Sequence, residues 1–219
     1  TSRQLNGGPG AKGNQKLIMG PWPHGVTRKV GELEFPENFK FDMGGYEKRF
    51  FDHWLLGEAN GIDTEPAVNY YTMGACGEDG APGNEWRTAD AWPPFETRET
   101  AYHLTADGGL STDAASVVEG KREYVYDPKD PCKTHGGQNL LLPAGSFDQR
   151  EVSGRADVLK FATEPFEAPL EVTGRVRVRL SVSTDAPDTD FTAKLVDVYP
   201  DGREMLLLDN IRRLKFHKG

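Results

Sequence analysis

KLIMGPWPHG, residues 16–25, runs an apolar segment straight into a proline-flanked corner that ends on a lone histidine. Leu17, Ile18 and Met19 are closed by Gly-Pro, the pattern of a buried strand in a parallel sheet whose C-terminal edge lies at Gly20. Pro21 biases Gly20 toward extended backbone, and Pro21 and Pro23 each fix a φ angle beside Trp22. The corner is stiff, and it aims one imidazole. Open α/β sheets place their sites just beyond the C-terminal ends of parallel strands. A general base must stay within hydrogen-bond reach of its nucleophile, and imidazole titrates near neutral pH. His24 is therefore the candidate proton-transfer residue, set against the ordinary reading of a solvated loop histidine.

Immediately downstream, MGGYEKRFFDHWLLGEA (43–59) spaces Tyr46, Phe50 and Trp54 by four, with Phe51 and Leu55 beside them, which predicts an amphipathic helix. Its aromatic stripe reads as core-facing rather than as a ligand surface, and His53 beside it reads as structural. After Asn60-Gly61 the character changes to short β-rich segments separated by Gly, Pro, Asp and Asn: AVNYYTMG (67–74), TAYHLTA (100–106), REYVY (122–126) and the region from 170 onward. RVRVRLSVS (175–183) alternates strictly, placing Val176, Val178, Leu180 and Val182 on one predicted buried face and Arg175, Arg177 and Arg179 on a wet one. FTAKLVDVY, PDGRE and MLLLD read as a hairpin turned by Asp201-Gly202, with IRRLKF as a further partner. Fold class is therefore mainly β. A sandwich, most simply a jelly roll, follows a strand, loop and helix of α/β type, with the boundary at 62/63: residues 1–62 in one piece, 63–219 in the other.

The 219 residues carry 34 acidic against 26 basic side chains, a formal net charge of −8. That charge repels phosphate backbones, and no Lys/Arg cluster is interleaved with aromatics, so nucleic acid is not an expected partner. No apolar run approaches the roughly 20 residues of a membrane helix, so no membrane partner is expected either. Cys76 and Cys132 have no metal-ligand spacing and leave the compartment open. The opening TSRQLNGGPGAKGN has no signal-peptide pattern, lacks an initiator Met and reads as an interior piece of a longer protein. Asp185, Asp188, Asp190 and Asp197 invite a calcium reading, but the spacing is not that of an EF-hand loop and suits a turn. His103, His135 and His217 are scattered, so neither a metal site nor a cofactor is expected.

GPWPHG (20–25), FFDHWLLGEANG (50–61), YYTMGACGEDGAPGNEWRTADAWPP (70–94), YDPKDPCKTHGG (126–137), SFDQREVSGRADVLKFATEPFEAPLEVTG (146–174) and STDAPDTDFTAKLVDVYPDGRE (183–204) together resemble the cocaine-esterase and X-Pro dipeptidyl-peptidase family of serine hydrolases. The likeness spans about 16 to 216. It implies an α/β-hydrolase domain followed by a jelly-roll domain of galactose-binding-like kind, usually called non-catalytic, and it carries the family's triad histidine onto His24.

The implied chemistry is acyl transfer on a small-molecule ester or peptide substrate, including X-Pro amides, with His24 as the base of a Ser-His-Asp triad. In α/β-hydrolases the order is Ser, Asp, His, with the serine on a G-x-S-x-G elbow. No such elbow occurs in these 219 residues, and no acidic residue precedes His24. Ser2 has no elbow around it. The resemblance thus implies an interior fragment of a larger hydrolase, inactive alone, whose Ser and Asp lie upstream and whose final strands lie downstream. Exposed strand edges then predict self-association or a companion chain carrying the missing segments. The competing function is a carbohydrate-binding or accessory jelly roll in which His24 is incidental. Trp22 and Trp54 are expected to pack around the His24 loop, and Trp86 and Trp92 to anchor a long loop onto the sandwich.

Overall fold

β1 (Leu17–Met19) pairs in parallel with β4 (Val68–Thr72), Leu17 opposite Val68 and Met19 opposite Tyr70, in a computed structural model that describes residues 8–11, 13–117 and 120–216. Ser2 and His217 lie outside the described residues. The parallel strand predicted from the Leu-Ile-Met run is present. β4 in turn pairs antiparallel with β5 (Glu85–Ala89), giving the order β1-β4-β5. Two-residue strands β2 (Lys29–Val30) and β3 (Leu33–Glu34) lie between β1 and the helix.

The chain divides into two units, residues 8–30 with 34–97 and residues 31–33 with 98–216. In the first, α1 (Met43–Leu56) starts where the Asp42 carboxylate accepts from Gly45 N at 3.0 Å. It ends at Gly57, whose φ of +75° is the left-handed cap that glycine adopts freely. The end falls three residues before the predicted one because that cap stops the hydrogen-bond ladder. The aromatic stripe is not a buried core: Trp54, Phe51 and Leu55 are exposed, at 43%, 55% and 74%. Periodicity told which residues share a face and not whether that face is covered. His53 is structural, its Nδ1 2.8 Å from Glu58 O just beyond the helix end.

The second unit is built around β8 (Asp190–Val198) and β9 (Glu204–Arg213), an antiparallel pair with a bulge between Leu195 and Val196. The turn is the predicted one: Gly202 takes φ +83° and donates to Tyr199 O at 2.8 Å. Ile211–Arg213 continue β9 instead of forming a separate strand. A short hairpin, β6 (His103–Leu104) with β7 (Leu110–Ser111), is laced to the 157–162 segment by Leu110 N to Ala162 O at 2.7 Å. The architecture is mainly β, as expected. REYVY and RVRVRLSVS, by contrast, join no ladder among the described residues. Val176, Val178, Leu180 and Val182 remain 41–57% exposed, so the alternation is present without a facing layer to bury it.

Between these strands the SFDQR run (146–150) is the unit's organising knot. Ser146 O accepts from Glu32 N at 2.8 Å, and Gly31, at φ +67°, passes so close that a Cβ would lie 2.1 Å from that oxygen. Gln149 is 2% exposed and fully engaged: its amide donates to His135 O and Phe147 O at 2.9 Å each, and its Oε1 accepts from Lys194 at 2.6 Å. Asp148 opens the four-residue α2 (Arg150–Ser153), accepting from Arg150 N at 3.1 Å, Arg150 Nε at 2.8 Å and Glu204 N at 3.0 Å.

Those bonds, Arg150's foremost, hold the Asp148 carboxyl down at about 2 from the usual 3.8. A depressed folded-state pKa stabilises fully above the unfolded value and loses its effect as pH falls through the folded one. Asp148 should thus contribute about 1–2 kcal/mol at neutral pH, fading between roughly pH 4 and 2. In urea titrations Asp148→Asn should cost that amount at pH 7 and little at pH 2, whereas an equal loss at both values would contradict the assignment.

Candidate functional site

Beyond β1 the chain turns through Pro21–Gly25 as an irregular bend, with Pro21 buried, Trp22 half-buried and His24 exposed. The Trp22 ring folds back over Gly20, where a Cβ would stand 2.1 Å from its Cζ3, so only glycine leaves it room. Its other neighbour is Trp86 on β5, with ring centroids 5.6 Å apart. Trp86 is itself fixed. Its Nε1 donates to Asn38 O at 2.8 Å, and it packs on Phe41 at 5.0 Å and Tyr71 at 5.5 Å. Tyr71 donates its hydroxyl to Asn38 Oδ1 at 3.0 Å and meets Phe35 edge-on at 5.8 Å, and burial pushes its phenol up to about 12.

The stiff corner is therefore tethered by an aromatic cluster as well as by its prolines. Trp54, expected with Trp22 around the His24 loop, meets Phe50 at 6.3 Å and, edge-on, His53 at 4.7 Å along α1, while Trp86 packs on Trp22. Trp92 meets Tyr70 at 5.7 Å. Sequence spacing could not find the Trp22–Trp86 pair, because 64 residues separate them and only the β4–β5 hairpin brings them together.

His24 is exposed, and its ring makes no hydrogen bond or ion pair among the described residues. It lines neither of two shallow clefts in the same unit. One, of about 280 Å3, is bordered by Arg28, Glu34, Phe35, Cys76 and Asn84; the other, of about 420 Å3, by Phe41, Tyr46 and Arg49.

Asp185 and Asp188 lie in a bend that leads into β8, where Asp190 and Asp197 stand. Asp190 takes a two-pronged contact from Arg213, Nε to Oδ1 at 3.0 Å and Nη2 to Oδ2 at 2.7 Å. Asp188 accepts from Thr189 N and Lys215 N, each at 3.1 Å. Burial raises the Asp197 carboxyl pKa. No group of three potential metal ligands occurs among the described residues. His135 lies edge-on to Phe147 at 5.1 Å with Nε2 3.5 Å from Glu151, and His103 sits in β6 opposite Ser111. Cys76 and Cys132 form no disulfide among the described residues, Cys76 being buried and Cys132 exposed. No helix among the described residues is long and apolar enough to cross a membrane.

Comparison with known proteins joins the two units. The family model described as the X-Pro dipeptidyl-peptidase C-terminal non-catalytic domain matches residues 60–219. Cocaine esterase of Rhodococcus sp. (strain MB1 Bresler) is 37% identical over 220 residues, covering 93% of this chain and 36% of its own length. That coverage requires the likeness to extend upstream of residue 60. A solved alpha-amino acid ester hydrolase superposes with a TM-score of 0.68 at 29% identity, over 93% of this chain and 36% of that one. The chain thus spans about a third of the length of the relatives it matches.

Proposed function

Because this chain belongs to the family of the X-Pro dipeptidyl-peptidase C-terminal non-catalytic domain, we propose that it works within a serine hydrolase cleaving ester or amide bonds, with His24 as the general base. The observation that supports this most is the presentation of the ring: exposed, without a partner, and tethered just beyond the C-terminal end of a parallel strand. A histidine satisfied by its surroundings would have spent its nitrogens on the protein. This one keeps both available, one for a serine hydroxyl and one for an orienting carboxylate.

In the reaction His24 takes the hydroxyl proton as the serine oxygen attacks the acyl carbon, forming a tetrahedral intermediate. It returns that proton to the departing alcohol or amine as the acyl-enzyme forms. It then repeats the exchange with water, which releases the acid and frees the serine. The nucleophile and the acid come from polypeptide outside these 219 residues, since no G-x-S-x-G elbow lies within them. The β-rich unit takes no part in bond breaking in this reading. The test is His24→Ala in the complete polypeptide that carries this chain. Loss of ester and X-Pro amide turnover supports the proposal, and retention overturns it.

The proposal extends to a protein partner. The 175–183 segment offers exposed Val176, Val178, Leu180 and Val182 beside unladdered backbone, the chemistry of an edge awaiting a strand. A second copy or a companion chain with the remaining segments fills it. Light scattering of the 219-residue chain at tens of micromolar should give a mass above that of one 24.2 kDa chain, and a clean monomer would refute the extension.

A further inference from the structure

We infer that Trp86 is a positioning residue for His24, acting through Trp22; the inference rests on His24 being the base. Trp22 is two residues from His24, and its ring is held by packing alone, because its buried Nε1 finds no hydrogen-bond partner among the described residues. Two surfaces do the holding. One is the bare backbone of Gly20, which admits the ring only because no Cβ stands there. The other is Trp86, 5.6 Å away between centroids.

Trp86 differs from Trp22 in being anchored by direction as well as by area. Its Nε1–H donates to Asn38 O at 2.8 Å, Asn38 is further held by Tyr71 at its Oδ1, and Asn38 Nδ2 donates to Asn84 O at 2.7 Å. The platform is therefore rigid, and what rests on it inherits that rigidity. A corner whose tryptophan has lost its platform still has two prolines, but they fix φ only, leaving ψ of each residue free to swing the imidazole. Proton transfer is sensitive to such swings, because displacement of about 1 Å from reactive geometry can cost about a hundredfold.

The placement of Trp86 gives the inference its interest. It lies within the 60–219 match to a domain described as non-catalytic, yet in the structure it belongs with residues 8–30 and 34–97, the unit that carries His24. The hydrolase's histidine is thus steadied by a side chain from the part credited with no catalytic role.

The experiment uses ester hydrolysis by the complete polypeptide. Trp86→Ala should lower kcat about 10- to 100-fold with KM within about twofold, and Trp86→Phe, which keeps an aromatic platform, should recover most of it. Ile62→Ala supplies the structural control, since Ile62 is fully buried in the same unit. It should lower Tm comparably and leave kcat alone. Trp22→Ala combined with Trp86→Ala should cost no more in kcat than the larger single change, because both remove one contact. Should Trp86→Ala not fold, Trp86→Leu is judged by the same kcat criterion. Additive losses, or a Trp86 variant whose kcat follows that of Ile62→Ala, would overturn the positioning role. Full activity of His24→Ala would instead overturn the reading of the base, so the two failures are told apart.

Discussion

Replacing His24 by alanine in the polypeptide that also carries the serine will lower kcat for ester hydrolysis by about a thousandfold and move KM by less than about threefold. The size follows from the role proposed for the ring. Without it the serine must attack as a neutral hydroxyl and the leaving group must depart unprotonated, two penalties that a positioned base and acid normally removes. Binding determinants remain, which is why KM is spared. The fold should remain too, for the side chain is exposed and makes no hydrogen bond among the described residues. Tm should therefore shift by no more than a degree or two. A loss of activity accompanied by a large drop in Tm would point to a structural role, and a kcat within tenfold of the parent would show that another group moves the proton.

The second large effect is on stability. Gln149→Leu should destabilise the protein by about 2–4 kcal/mol, the largest loss expected from any single polar side chain described above. Leucine fills similar space but strands the His135 carbonyl and the Lys194 ammonium, while the Phe147 carbonyl keeps the Leu206 N–H at 3.2 Å. Each lost partner of a buried group costs about 1–3 kcal/mol, more when it is charged. Gln149→Glu should be milder at high pH, because a carboxylate can still receive Lys194 while forfeiting the two donated bonds. Denaturant unfolding of both variants measures the difference. A Gln149→Leu loss below 1 kcal/mol would mean that water or rearranged side chains replace the glutamine.

Much of this was legible in the chain. The apolar run at 17–19, ended by Gly-Pro, declared a strand because local chemistry alone sets it. The Asp201-Gly202 turn and the start of α1 were equally local. What could not be read was coverage. The stripe on α1 and the alternation at 175–183 were correctly seen as faces, yet whether a face is buried depends on a second surface that no periodicity encodes. The site divides in the same way. The exposed corner that carries His24 was legible from its motif, whereas the Trp22–Trp86 contact was not, because a contact across 64 residues exists only once β5 has paired with β4. The SFDQR run was noticed as part of a resemblance. Its physical reason, a glutamine that satisfies two backbone carbonyls and a lysine at once, emerged only from the packing.

The Trp22–Trp86 contact also sets a rule for anyone recombining such enzymes. On the positioning role proposed for Trp86, a chimaera spliced at residue 60, where the family match begins, is expected to turn over slowly, because it sets the imidazole's corner on a foreign platform. Splicing after residue 97 keeps the corner and its platform together but parts Gly31 and Glu32 from Ser146, so the proposed positioning predicts retained turnover there only where the new module preserves that contact.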